Sequence, residues 1–219
     1  SGQGKYWYDV QPNITRSAKD QAERLHREDV WAEILRRLAD QGKVRGGFAG
    51  VHVGPEDHAD IPDTEEARLV ILHPRFVHRS KRGVAPSGSA ASEFVTAALE
   101  HRGTASRTNR NMLVFLAPDE AQMESLEAAV RDYLGWSYVL GSADLDLTDN
   151  QKAQAAEKKS AADSTVGLRL LGTFQWALHP KHLDGVKSPA TLTESKVEGV
   201  ATSLAERVTS RLARDGDLA

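Results

Sequence analysis

Apolar and polar residues alternate near the start of the chain and then change to helical spacing. Residues 5–10 place successive side chains on opposite sides of an extended chain and predict a strand that ends at Pro12, which cannot donate to a strand ladder. From Asn13, a good helix cap, the apolar residues recur at helical spacing as far as Gly42. The polar run 26–29 is expected to divide this stretch into two helices.

Three further apolar runs predict buried strands, at residues 48–53, 67–72 and 112–117. A short helix is expected from Ser92. Another is expected after the third strand, where Asp119 and Gln122 have the spacing of a helix-capping pair.

The last third of the chain is predicted to be helical. Thr148 and Gln151 form a second capping pattern, and the apolar stripe that follows predicts a long helix through Leu178, bounded by Pro180. Residues 183–193 have the composition of a linker, and residues 196–213 predict one more amphipathic helix.

This order of elements, strands alternating with helices and then helices alone, predicts an α/β fold. We expect a small, mainly parallel or mixed sheet of about four strands with flanking helices, followed by a helical C-terminal segment. Residues 1–180 are interpreted as the α/β domain. Residues 181–219 are interpreted as a linker and an amphipathic helix that begin the next region of a longer protein.

Composition narrows the possible functions. The chain has 219 residues, a formal net charge of -3 and no cysteine, which excludes disulfides, thiolate metal sites and cysteine catalysis. No apolar run approaches the length of a membrane span, so no membrane partner is expected and a cytoplasmic location is the default. Nucleic-acid binding would require a local basic patch.

Sequence motifs for catalysis are incomplete. Gly4-Lys5 is followed by Tyr6 where a phosphate-binding loop needs Ser or Thr, and Asp119 after the third apolar strand is better explained as a helix cap than as a metal ligand. The acidic loop 54–66 is more simply a solvated loop than a metal site. No Ser-His-Asp arrangement and no nucleophile elbow stands out. We therefore predict no catalytic residue and no metal site.

Basic residues are concentrated between positions 75 and 110, where only Glu93 and Glu100 oppose them. The segment 107–111 comes just before the most apolar strand, so its side chains are expected at a sheet edge. A solvated loop with structural ion pairs is the simpler interpretation of the basic segment. The main alternative is contact with a phosphate of DNA or of a nucleotide held by a neighbouring domain. The basic residues are Arg75, Arg79, Lys81, Arg82, Arg102, Arg107 and Arg110.

Four collinear stretches resemble a known family. They are YWYDVQPNITRSAKDQAERL, PDTEEARLVILHP, RGTASRTNRNMLVFLAPDE and DSTVGLRLLGTFQWALHP, and they lie within residues 5–180. They resemble the large bacterial and archaeal proteins classed as "domain of unknown function 499". Those proteins are predicted AAA+-type ATPases, often encoded beside DNA methyltransferases and helicases in loci thought to defend against phage.

The resemblance implies an accessory or regulatory domain of such an ATPase, because the family's nucleotide-binding loop lies upstream of these stretches. ATP and Mg²⁺ are then cofactors of the full-length protein and not of this fragment. The implied partners are the rest of the ATPase polypeptide, DNA and other defence-system subunits.

The resemblance assigns no catalytic residue, but some polar positions match the family's pattern at predicted strand ends, where α/β sheets commonly bind ligands. Arg107 or Arg110 is a candidate phosphate sensor acting across an interface. The alternatives are a nucleic-acid-binding module that uses the basic segment, and a structural interaction domain without a ligand. The candidate phosphate- or nucleic-acid-binding residues are Gln11, Asn13, Arg75, Arg107, Asn109, Arg110 and Asn111.

Overall fold

A computed structural model of the chain describes residues 13–81, 84–181 and 191–216. The strand expected at residues 5–10 and the candidate Gln11 lie outside the described residues. The helices are α1 (Ile14–Arg24), α2 (Arg27–Gln41), α3 (Ala90–Glu100), α4 (Glu120–Gly141), α5 (Asp149–Thr173) and α6 (Leu204–Asp215). The strands are β1 (Gly50–Val53), β2 (Arg68–Ile71), β3 (His101–Arg102), β4 (Ala105–Ser106), β5 (Leu113–Pro118), β6 (Phe174–Lys181) and β7 (Thr191–Lys196).

Within the described ranges, five of these strands form one mixed sheet in the order β1-β2-β5-β6-β7. Strands β1, β2 and β5 are parallel, β6 is antiparallel to β5, and β7 is antiparallel to β6. The short strands β3 and β4 form a separate antiparallel pair. The predicted α/β class with a mixed sheet and flanking helices is confirmed.

Helix starts follow the predicted capping residues. The side chain of Asn13 accepts a hydrogen bond from the Arg16 backbone N–H at 3.0 Å, and the chain leaves the helix between α1 and α2 as the polar run 26–29 indicated. Asp119 caps α4 through the Ala121 N–H. Thr148 caps α5 in a capping box, as its spacing to Gln151 predicted.

The prediction of one helix through Leu178 is wrong. Helix α5 ends at Thr173, and the chain continues as β6, which lies between β5 and β7 in the sheet. Phe174 packs on one face of the sheet and Leu178 on the other, as in a strand buried on both sides. The linker predicted at residues 183–193 overlaps β7, and the last helix begins at Leu204 instead of residue 196.

Each face of the sheet has its own hydrophobic core. Helices α2, α4, α5 and α6 pack on one face, where α6 contributes Leu204, Val208 and Leu212 to the same core as Ile34 and Leu126. Helix α3 covers the other face over β2 and β5. Strand β7 and helix α6 thus join the same sheet and core as the chain before residue 180.

Helix α1 packs along α4, away from the sheet, in a third cluster that contains Ala18 and Trp136. A Cβ added at Gly135 would lie 2.4 Å from the Ala18 carbonyl oxygen, so a glycine is required where the two helices approach. No helix in the described part of the chain is long and apolar enough to cross a membrane.

Candidate functional site

The connection from β2 to α3 leads away from the carboxyl ends of the parallel strands and contains a fully buried histidine, His78. Its backbone is bonded to the end of β5, since its N–H donates to the Pro118 carbonyl at 2.8 Å and its carbonyl accepts from the Glu120 N–H at 2.9 Å. The imidazole ring lies edge-on to Trp176 of β6, with 5.8 Å between ring centroids. The ring position is therefore fixed by backbone and packing together.

Both nitrogens of the buried ring have side-chain partners. His78 Nδ1 lies 2.8 Å from Ser89 Oγ, and Nε2 lies 2.5 Å from Glu194 Oε2 on β7. The other carboxylate oxygen of Glu194 accepts a hydrogen bond from the Ser80 hydroxyl. A hydroxyl, an imidazole and a carboxylate are thus joined in series, and they come from three separate parts of the chain.

The bonding partners assign the tautomer of His78. An ionised carboxylate only accepts hydrogen bonds, so Nε2 of the neutral ring carries the hydrogen that is donated to Glu194. Nδ1 is then an acceptor, and the single hydrogen of the Ser89 hydroxyl has two acceptors within reach, His78 Nδ1 at 2.8 Å and Ser92 Oγ at 3.0 Å. Donation to His78 is the arrangement in which a histidine can act as general base toward a serine.

Ser89 also lies at the start of α3, where its Oγ accepts from the Ser92 N–H at 3.1 Å. Together with its neighbours in residues 87–90 and with Arg79, Lys81 and Glu120, it lines a pocket of about 260 Å³. Arg79 donates to Glu120, and this hydrogen bond lowers the pKa of the carboxyl. Lys81 forms no ion pair with any residue that the structure describes. The pocket lining is therefore polar, and Lys81 gives it a cationic side chain.

Sequence patterns gave no sign of this set of side chains. Ser89 and Glu194 are 105 positions apart, the predicted linker ended just before Glu194, and β7 was not predicted at all. The motif that identifies a serine nucleophile in many hydrolases, a glycine-flanked elbow after a strand, does not precede α3. The pairing of β7 with β6 is what brings Glu194 to His78.

Arg107, the leading sequence candidate, is buried at the far end of α3. Its guanidinium donates to four backbone carbonyls: Ala98 at 2.6 Å, Pro62 at 2.8 Å, Ile61 at 3.0 Å and His58 at 3.4 Å. Burial lowers the pKa of Arg107, although the carboxylate of Asp63 opposes that shift. The side chain holds the loop between β1 and β2 against the end of α3.

The neighbours of Arg107 complete this structural cluster. The Asp63 carboxylate accepts from the backbone N–H groups of Thr108 at 2.8 Å and Asn109 at 2.9 Å. Burial raises the pKa of Asp63, but these backbone bonds and nearby Arg107 outweigh it, so the pKa lies below its ordinary value. Arg110 and Asn111 are exposed beside the cluster, and Arg110 Nε donates to the Arg107 carbonyl at 3.2 Å.

Arg75 lies elsewhere, at the carboxyl end of β2. Its exposed guanidinium packs over the Phe76 ring at 4.7 Å and donates to the Glu56 carbonyl at 2.7 Å. Phe76 contacts Phe94 in the first half of α3, whereas Arg107 binds the Ala98 carbonyl near the end of that helix. The basic segment is therefore divided between the two ends of α3 and does not form one continuous patch in the described residues.

The remaining sequence candidate, Asn13, is exposed and caps α1. Over residues 13–81, 84–181 and 191–216, no three His, Asp or Glu side chains are grouped as a metal ion would require. Comparisons with protein-family models, with curated proteins and with solved structures found no match to this chain.

Proposed function

We propose that this chain is an accessory or regulatory α/β domain of a larger AAA+-type ATPase, related to the "domain of unknown function 499" proteins. In this proposal the chain has no complete ATPase site, and ATP and Mg²⁺ bind to the ATPase core. The proposed partners are that core and, through it, other components of a DNA-modification or phage-defence locus.

One structural observation supports treating the resembling stretches as a unit. Three of them supply the adjacent strands β2, β5 and β6, and polar side chains tie them together. Asp63 of one stretch binds the Thr108 and Asn109 backbone of the next, and Trp176 Nε1 donates to Asp119 at 2.7 Å. The three resembling stretches that supply β2, β5 and β6 therefore contact one another in the fold.

The structure also favours a different arginine as the contact with the ATPase core. The Arg107 guanidinium is occupied by carbonyls and buried, so it would have to leave the cluster before it could reach a phosphate. Arg75 is exposed, and its stacking on Phe76 limits the side-chain entropy that binding would cost. A guanidinium so placed can form paired hydrogen bonds with a phosphate or a carboxylate.

The test is steady-state ATP hydrolysis by the polypeptide that carries this chain. Arg75→Ala is expected to lower kcat about 1,000-fold, the low end of what an arginine finger contributes to phosphoryl transfer. Arg16→Ala is the matched control, since Arg16 is an exposed arginine on α1. Unchanged turnover in the Arg75 variant, or ATP hydrolysis by residues 1–219 alone, would overturn the proposal.

A direct nucleic-acid role predicts instead that the isolated chain binds DNA. Binding of DNA by the isolated chain, with a log affinity that falls steeply with log salt, would support the basic segment as a nucleic-acid surface instead. Because its basic residues lie at opposite ends of α3, we expect no such binding at micromolar protein.

A further inference from the structure

We propose that Ser89 is the nucleophile of a small acyl-transfer site, with His78 as its general base and Glu194 as the carboxylate that orients the base. This activity goes beyond the proposed ATPase-linked role and does not depend on it. The geometry that carries the proposal is the series Ser89 Oγ, His78 and Glu194, joined at 2.8 Å and 2.5 Å. Serine hydrolases use this order of groups on unrelated folds, so it is recognised by distance and role, not by sequence position.

Hydrolysis of an ester through an acyl-serine needs only these three side chains and water, and no cofactor. Ser89 Oγ attacks the carbonyl carbon of an ester and its proton passes to His78 Nδ1, while Glu194 stabilises the imidazolium through Nε2. The tetrahedral intermediate collapses, the C–O bond to the alcohol breaks, and the alcohol leaves with the proton from His78. Water then gives a proton to His78 and attacks the acyl-serine, which releases the acid and restores the Ser89 hydroxyl.

Backbone N–H groups at the start of α3 are placed to stabilise negative charge on the reacting oxygen atoms. The Ser92 N–H donates to Ser89 Oγ, so it favours the partial negative charge on this oxygen while its proton passes to His78. The Ala90 N–H, on the residue after the nucleophile, has no acceptor among the described residues, as is usual in the first turn of a helix. The same position supplies an oxyanion-hole donor in α/β-hydrolases.

The pocket beside Ser89 defines the class of substrate. Its volume of about 260 Å³ is below the roughly 300–1,000 Å³ of sites for drug-sized ligands, so only a short acyl group fits. Lys81, Arg79 and Glu120 give the pocket a polar lining. We infer that the substrate is an ester of a short, polar acyl group, and that long-chain esters are excluded.

The experiment uses the purified chain and a fluorophosphonate probe, which phosphonylates activated serines. We expect one adduct, located on Ser89 by peptide mass spectrometry, and hydrolysis of p-nitrophenyl acetate that the probe abolishes. Ser164→Ala is the matched control, because Ser164 is an exposed serine on α5 that lies outside both the pocket and the His78 series; its labelling rate should equal that of the wild type.

Variants of the series distinguish catalysis from packing. Glu194→Gln should slow labelling at least tenfold and move its pH profile, whereas a purely structural loss would lower the rate equally at every pH. Ser89→Asn keeps a side chain that caps a helix well but has no hydroxyl, so it should fold and remain unlabelled even if Ser89→Ala does not fold. Absence of an adduct on Ser89 in the folded wild-type chain would overturn the proposal, as would equal labelling of Ser164 and Ser89 or a rate unaffected by Glu194→Gln.

Discussion

Replacement of Arg107 by alanine tests whether this arginine is a structural clamp or a ligand-binding residue. Three of its carbonyl acceptors lie within 3.0 Å, and the side chain is 3% exposed. A buried carbonyl that loses its donor costs about 1–3 kcal/mol. At the low end of this range for each of the three carbonyls, Arg107→Ala should lower the free energy of unfolding by about 3 kcal/mol.

The assay is urea unfolding followed by tryptophan fluorescence, with the midpoint and the slope fitted separately. Arg107→Lys should recover less than half of the loss, because an ammonium group cannot reproduce the planar fork that reaches several carbonyls. Arg110→Ala is the control, since this exposed side chain makes one bond of 3.2 Å to the Arg107 carbonyl. A loss below about 1 kcal/mol for Arg107→Ala, with an unchanged slope, would refute the clamp.

Two further predictions concern other contacts. Gly135→Ala should destabilise the chain by about 1–3 kcal/mol, because its new methyl group would clash with the Ala18 carbonyl. Gly167→Ala, whose methyl group meets open space on α5, should stabilise the chain by up to about 1 kcal/mol. Equal shifts of the thermal unfolding midpoint in the two variants would contradict this prediction. Asp63 has a lowered pKa in the folded state, so its carboxylate stabilises the chain above its unfolded pKa of about 4 and that contribution is lost as pH falls through the folded value. Asp63→Asn should therefore cost about 1 kcal/mol in urea unfolding at neutral pH and progressively less in acid, and a difference that does not depend on pH would exclude this role.

The helices were the most predictable part of the fold. An amphipathic helix has a period that can be read directly from the sequence, and its start is marked by side chains that bond to its own free N–H groups. Asn13, Asp119 and Thr148 all cap helices in the structure. These interactions connect residues within four positions of one another, so sequence spacing contains the necessary information.

Strands β6 and β7 show why the rest could not be predicted. Within residues 174–181 apolar and aromatic side chains face both sides, and such a run fits the end of a helix as well as a buried strand. The choice is made by β5 and β7, which supply the partners for the backbone of β6 on its two edges. Those partners are distant in sequence, and the position of each strand in the sheet is a property of the whole fold.

The candidate site depends on the same distant pairings. The concentration of arginines between residues 75 and 110 could not separate the exposed Arg75 from the buried Arg107. Burial decides between the two roles, because backbone carbonyls occupy four of the five N–H donors of the buried Arg107 guanidinium. Glu194 shows the converse: it is an unremarkable acid in the sequence, and it becomes the partner of a buried histidine only because β7 pairs with β6. Any change that separates β7 from β6 should therefore remove Glu194 from His78 and abolish the expected labelling of Ser89. The Arg107 cluster should stay intact, since the residues that bind Arg107 all precede β5 in the chain.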